Sequence, residues 1–150
     1  MEHDVAWTVQ VDPLTFAIGI AHVQVERALG ERVSVYVGPS LRLFDGILPD
    51  AGGPFVALGA EAGVRGFFTG RAPEGGWVMA RGVLARMALR DGSRAEAGGY
   101  GSVLVGGTAV VGPGLVLSGG LGGSWFAYDI DGYGVSGPAP AAHTAVGWAF

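Results

Sequence analysis

Residues 55–68, FVALGAEAGVRGFF, alternate between two kinds of side chain with a period of two. The even positions are apolar, from Val56 to Val64, whereas the odd positions hold glycines together with Glu61 and Arg65. Successive side chains of a strand point to opposite faces of the sheet. The stretch therefore predicts a β-strand with one apolar face and one face of small and charged residues.

The same alternation recurs in RVSVYVGPSLRLF (32–44), AHVQVE (21–26) and TVQVD (8–12). The segment from Ala97 to Tyr128 has no charged residue and is long enough for a membrane helix. However, glycine recurs throughout this segment and Pro113 interrupts it. Each interior glycine costs a helix about 1 kcal/mol relative to alanine. The remaining valines, leucines and aromatic residues favour strands, so the sequence predicts an all-β chain.

We expect one domain, 1–150, because the chain is long enough for a single core. The predicted strands are 5–17, 21–29, 33–44, 55–68, 76–90, 99–111, 114–128 and 142–150. Short connections, 30–32, 71–75 and 112–113, alternate with longer ones at 45–54, 91–98 and 129–141. The Asp12-Pro13 step is either a bend within the first strand or its end.

The composition indicates which face points outward. Charged residues make up 15% of the chain and glycine contributes 29 of its 150 residues. The non-apolar face is too poor in charge to be a water-facing surface, and it suits the crowded interior of a narrow closed barrel. We therefore predict an eight-stranded antiparallel up-and-down transmembrane β-barrel with a lumen filled by side chains. A soluble, lipocalin-like barrel is the alternative.

Other classes of protein are disfavoured by composition. A net charge of −4 without a basic cluster argues against nucleic-acid binding. The absence of cysteine excludes disulfides and thiolate metal sites. The first residues do not form a secretory signal peptide, so the chain is either cytoplasmic or a mature form, and the fold argument favours the mature form.

The inward parity of the predicted strands collects polar side chains that must pair in a narrow lumen. We expect Glu26 and Glu61 to face arginines there. The predicted lumen network consists of Gln10, Gln24, Glu26, Arg42, Glu61, Arg65 and Arg86. Arg81 has the opposite parity to Arg86, which requires either a bulge or an arginine that snorkels to an interface.

Aromatic residues lie mostly near the predicted strand ends, as in the girdles of transmembrane barrels. The predicted membrane-interface aromatics are Trp7, Trp77, Trp125, Tyr128 and Trp148. The last residues, VGWAF, continue the alternation, with Trp148 and Phe150 on one face and Gly147 on the other.

The whole chain resembles the small bacterial outer-membrane β-barrels, in the size class of outer-membrane protein X and the barrel domain of outer-membrane protein A. The resemblance rests on VQVERALGERVSVYVG, on the alternation of short and long connections, and on VGWAF. The stretch VERALGERVSV resembles a broad group of uncharacterised barrels of this kind. The resemblance implies that Gly147, Trp148 and Phe150 form an insertion signal recognised by the outer-membrane assembly machinery.

The resemblance also implies a porin-like Gram-negative outer-membrane location with periplasmic termini, and lipid bilayer and lipopolysaccharide as surroundings. The expected role is structural or interactive: an anchor or scaffold whose loops or wall contact a protein partner that the sequence does not identify. A conducting pore, or a small transport or ligand-binding barrel that holds an apolar molecule, is the alternative. No catalytic set of serine, histidine and acid is expected, and neither is a cofactor or metal.

Overall fold

The computed structural model describes residues 7–17, 19–44 and 54–150. Their strands form one closed barrel in which each strand pairs with its neighbours in the sequence and the first pairs with the last. Its elements are β1 (Trp7–Val11), α1 (Pro13–Ala17), β2 (Ile20–Ala28), β3 (Val33–Arg42), β4 (Phe55–Phe67), β5 (Gly75–Leu89), β6 (Ala95–Val111), β7 (Leu115–Ile130) and β8 (Tyr133–Ala149). All pairings are antiparallel, which confirms the predicted eight-stranded up-and-down barrel.

The two ends of the barrel differ. The lower end carries the connections β2–β3, β4–β5 and β6–β7, and the upper end carries α1, the β5–β6 connection and the β7–β8 turn. Strands β1 to β3 have 5, 9 and 10 residues, whereas β5 to β8 have 15 to 17. The wall is therefore taller on the side formed by β5 to β8.

The first strand is shorter than the predicted range 5–17, of which residues 5 and 6 lie outside the described part. Strand β1 ends at Val11 and α1 follows. The Asp12 carboxylate accepts hydrogen bonds from the amides of Leu14, at 2.9 Å, and Thr15, at 3.2 Å. Asp12 is thus a helix N-cap, and Pro13 occupies the first helical position, where its missing N–H costs nothing.

The prediction of a loop at 129–141 was wrong. Strand β7 continues to Ile130 and β8 begins at Tyr133, so only Asp131 and Gly132 connect them. Both residues have positive φ, 51° and 82°, as a type I′ hairpin turn requires. Strand β6 likewise begins at Ala95, inside the predicted loop 91–98. The predicted loop 45–54 lies outside the described residues except at Pro54.

The distribution of side chains is inverted relative to a water-soluble barrel. The outer wall is apolar, and its large exposed side chains include Val9, Val25, Val37, Leu58, Leu84, Val103, Leu121 and Trp125. The interior contains an upper apolar cluster around Phe55, Met87 and Ile130 and a lower one around Trp77, Met79 and Leu104. Buried charged and polar side chains lie beside these clusters. No helix in the described ranges is long and apolar enough to cross a membrane.

Candidate functional site

The lower half of the lumen is organised around the carboxylate of Glu26, on β2, which is completely buried. Ser34 donates a hydrogen bond to Oε1. Oε2 accepts from Gln10 Nε2 at 2.8 Å and from Thr8 Oγ1 at 3.3 Å. Arg65 lies 2.8 Å from the same oxygen. Three strands besides β2 thus supply partners to one carboxylate, which satisfies a charge that burial alone would make costly.

Arg65, on β4, connects this carboxylate to the opposite wall. Its Nη2 lies 2.8 Å from His143 Nε2 on β8. The guanidinium also faces two aromatic rings, with Cζ at 5.4 Å from the centroid of Tyr36 and 5.0 Å from that of Trp77. A planar guanidinium can bond in its plane and stack on its faces at the same time. Arg65 therefore fills the centre of the lower lumen.

A second cluster surrounds Glu61, also on β4. Tyr36 donates to Glu61 Oε1 at 2.7 Å, and His22 Nδ1 lies 2.9 Å from Oε2. Arg81 Nη1 lies 3.7 Å from Oε1. The hydroxyl of Tyr100 is 3.3 Å from His22 Nε2, which extends the cluster across the lumen to β6.

The other predicted lumen residues are placed as follows. Gln10 and Gln24 are buried. Arg42 is buried near the upper end, where Nη1 donates to the carbonyl oxygen of Phe55 and Cζ lies 3.9 Å from the Phe55 ring centroid. Of the predicted carboxylate–arginine pairs, the structure thus brings together Glu26 and Arg65.

The prediction for Arg86 was wrong, since its side chain is exposed on the outer wall. The β4–β5 register runs without interruption from Phe67↔Trp77 to Phe55↔Leu89, so no bulge resets the parity. Buried Trp77 and Met79 fix the odd positions of β5 as the inward ones. Arg81 consequently points inward, with its side chain 5% exposed, and takes the place predicted for Arg86.

Two of the predicted interface aromatics are also inside the barrel. Trp77 is completely buried and donates from Nε1 to Thr108 Oγ1 at 2.9 Å. Tyr128 is buried, and its ring lies edge-on to Phe55. A large ring can fill the lumen of a barrel as well as anchor it at an interface, so proximity to a strand end did not determine its direction. Trp7, Trp125 and Trp148 are exposed on the outer wall.

The residues of the predicted insertion signal lie where β1 and β8 close the barrel. Trp148 and Phe150 are exposed, and Gly147 belongs to the inward parity of β8. An added Cβ at Gly147 would lie 2.0 Å from the carbonyl oxygen of Val9. Only glycine allows the two strands to approach this closely.

The predicted residues are contacted from other strands by His22, Arg81, Tyr100 and His143. Parity places His22 and His143 inward from the sequence alone, but their partners and the inward direction of Arg81 and Tyr100 were missed. Nothing local in the sequence brings Tyr100 to His22 across the lumen. Within the described ranges, no group of three metal-ligating side chains comes together. Comparisons with protein-family models, with curated protein sequences and with solved structures found no match to this chain.

Proposed function

We propose that this protein is an integral β-barrel of the bacterial outer membrane that serves as an anchor or scaffold, with its loops or outer wall contacting a partner. The observation that carries the proposal is the inverted barrel: charged side chains are buried in the lumen and valines and leucines cover the outside. Water favours the opposite arrangement, whereas a bilayer favours this one.

The few charges on the outer wall support this assignment. Along the described strands, the outward positions hold three charged residues, Arg27, Arg86 and Asp129, each close to a strand end. Arg27 Cζ lies 5.0 Å from the ring centroid of Trp7. Long side chains near an interface can extend their charged groups out of the hydrocarbon, which makes such positions inexpensive.

The distance between the levels of two exposed tryptophans matches the thickness of the apolar part of a membrane. Trp125 is opposite Pro138 on β8, and Trp148 lies on β8 itself. About ten residues of β8 separate these levels, which corresponds to about 23 Å across the membrane at ~3.3 Å per residue and a tilt of ~45°. Transmembrane barrels have an apolar band of about 25 Å between aromatic girdles.

The filled lumen favours an anchor over an open pore. Arg65, Trp77 and Tyr36 are all at most 1% exposed and occupy the same lower cross-section. We expect planar-bilayer recordings to show no stable channel, because eight-stranded lumens are filled by side chains. Reproducible unitary conductance would favour the transport alternative. The buried charged groups of the lower lumen also suit a binding site for an apolar ligand there poorly.

In this proposal the lower end is periplasmic, and the upper end faces outward, towards lipopolysaccharide. The outer-membrane assembly machinery would insert the barrel, with the outward aromatic residues of β8 as the recognised feature. No catalytic role is assigned to the buried groups.

Folding with and without lipid tests the proposal. Urea-denatured protein is diluted into buffer, detergent micelles or phospholipid vesicles, and folding is followed by circular dichroism and by the gel mobility of unheated and heated samples. We expect strand structure and a heat-modifiable band only with detergent or lipid. A folded, soluble monomer in plain buffer would contradict the proposal.

A further inference from the structure

The barrel wall is closed unevenly between its first and last strands. Strand β8 pairs with β1 only from Val146 to Ala149, because β1 ends and α1 begins. Within the described ranges, the part of β8 from Tyr133 to Ala142 pairs with β7 alone. We call the gap between α1 and this upper part of β8 the seam.

The backbone groups that face the seam follow from the register. Trp7 and Phe150 exchange two backbone hydrogen bonds, at 3.1 and 3.0 Å. The N–H and C=O groups of every second residue of a strand point to the same side, so those of the even positions of β8 point towards β1. Pro138 and Pro140 therefore stand where an N–H would face the seam. The carbonyl oxygen of Ala142 accepts a hydrogen bond at 3.2 Å from Arg81. The edge thus lacks N–H donors at 138 and 140, and the carbonyl oxygen of Ala142 has a partner inside the barrel.

The inner face of upper β8 is accessible. Tyr133 and Val135 are paired with Ile130 and Tyr128, which are buried in the lumen, so all four point inward. Nevertheless, Tyr133 and Val135 are each 46% exposed. Lower down, the inward positions are the small residues Ala139 and Ala141.

The lower part of the seam lies within the apolar band and has apolar borders. Pro138 is paired with Trp125, at the upper girdle, so Ala139 to Ala142 lie below that level. On the other side, α1 exposes Leu14 and Phe16, at 44% and 52%. The side chain of Thr144 fixes α1 beside β8, since its Oγ1 accepts from the Leu14 amide at 3.2 Å.

We propose that the seam is a lateral opening through which an acyl chain of a bilayer lipid enters the upper lumen. This inference rests on the proposed membrane location. At 138 and 140 a partner strand would find no N–H donor, because both residues are proline. A hydrocarbon chain needs no donor there, and the inward side chains at 139 and 141 are small.

Lipid–protein nuclear Overhauser effects test this in the unmodified protein. The deuterated chain, with protonated alanine methyl groups, is placed in nanodiscs of phosphatidylcholine with protonated acyl chains. We expect cross-peaks from acyl methylenes to outward Ala60 and Ala80 and also to inward Ala139 and Ala141. Inward Ala57, on β4, and Ala145, below the seam on β8, are at most 2% exposed and are expected to show none.

The outcomes separate the two proposals. Cross-peaks at Ala60 and Ala80 without any at Ala139 and Ala141 would overturn the lateral opening and leave the membrane location standing. If Ala60 and Ala80 were also silent, the membrane location itself would be wrong. Cross-peaks from Ala139 to a second, separately labelled copy of the protein in place of lipid would identify the seam as a protein contact and contradict the proposal.

A matched pair of substitutions checks the route. Ala139→Phe fills the inward side of the seam, so the cross-peak at Ala141 should be lost. Ala142→Phe adds the same ring to the outward face of the same strand and should leave the Ala141 cross-peak in place. Retention of the peak in A139F, with the outward cross-peaks unchanged, would mean that lipid does not enter between α1 and β8.

Discussion

At the scale of single residues, Glu26 is a position where a buried charge depends on one charged partner. Its carboxylate is completely buried and is neutralised by Arg65. Removing one member of a buried ion pair leaves the other uncompensated, at a cost of about 3–5 kcal/mol. We expect Glu26→Gln to lower the free energy of unfolding by this amount, measured by urea titration in lipid vesicles.

The exposed pair of Glu31 and Arg71, 3.2 Å apart in the lower connections, provides the control. Water screens such a pair, so Glu31→Gln should cost under about 1 kcal/mol. In the double variant E26Q/R65M, part of the stability lost in E26Q should return. Equal effects of E26Q and E31Q would show that the Glu26 charge is solvated.

Asp91, in the upper β5–β6 connection, gives a prediction about pH. The Ser93 hydroxyl and amide donate to its Oδ1 at 2.6 and 2.9 Å, and these bonds hold the pKa of Asp91 below its ordinary value of 3.8. Such bonds stabilise the folded state above the ordinary pKa, and this contribution is lost as the pH falls through the lowered pKa. We expect Ser93→Ala to raise the pKa in an NMR titration, and Ser93→Thr to keep it low.

The direction of individual side chains was only partly predictable from the sequence. Glu26, Glu61 and Arg65 followed from parity alone, because their strands alternate cleanly. Arg81 and Arg86 did not, because both parities of β5 hold apolar residues. Arg81 enters the lumen because it shares the parity of Trp77 and Met79, whose large side chains fill the lumen. The alternation of polar and apolar residues does not show which side chains have the volume to do this.

At the scale of elements, the β7–β8 hairpin depends on a two-residue turn. Gly132 has φ 82°, where a β-carbon costs about 1–2 kcal/mol. We expect Gly132→Ala to destabilise the hairpin by this amount and to increase hydrogen exchange at Ile130 and Tyr133. Gly123→Ala on β7 is the control, since an added Cβ at either glycine meets no atom within 4 Å. A neutral G132A would show that the turn adopts another conformation.

The boundaries of some strands could be predicted from the sequence, and those of others could not. The long strands β4 and β5 lie close to their predicted ranges because their alternation is sustained. The turn at Asp131-Gly132 was hidden because glycines and prolines follow it at once, and these residues are typical of loops. Here they belong to an edge strand, where proline is tolerated.

At the scale of the whole molecule, the environment of the outer wall decides the cost of a charge. Leu121, 69% exposed on β7, lies between the two girdles. In a bilayer, Leu121→Arg should cost about 2–4 kcal/mol, whereas Leu115→Arg near the lower girdle should cost about 0–1. The measurement is reversible unfolding in vesicles. If both substitutions stayed within about 0.5 kcal/mol, the wall would face water.

The short pairing between β1 and β8 also determines the order in which the strands pair during folding. Every other strand pairing joins neighbours along the chain, so each can form as a local hairpin. The pairing of Thr8 with Ala149 joins the two ends and closes the largest loop in the molecule. Closing this loop costs conformational entropy, and only four residue pairs and a short helix compensate for that cost once they have formed. Folding should therefore be slow, with closure as its last step, and unfolding should begin at the same place.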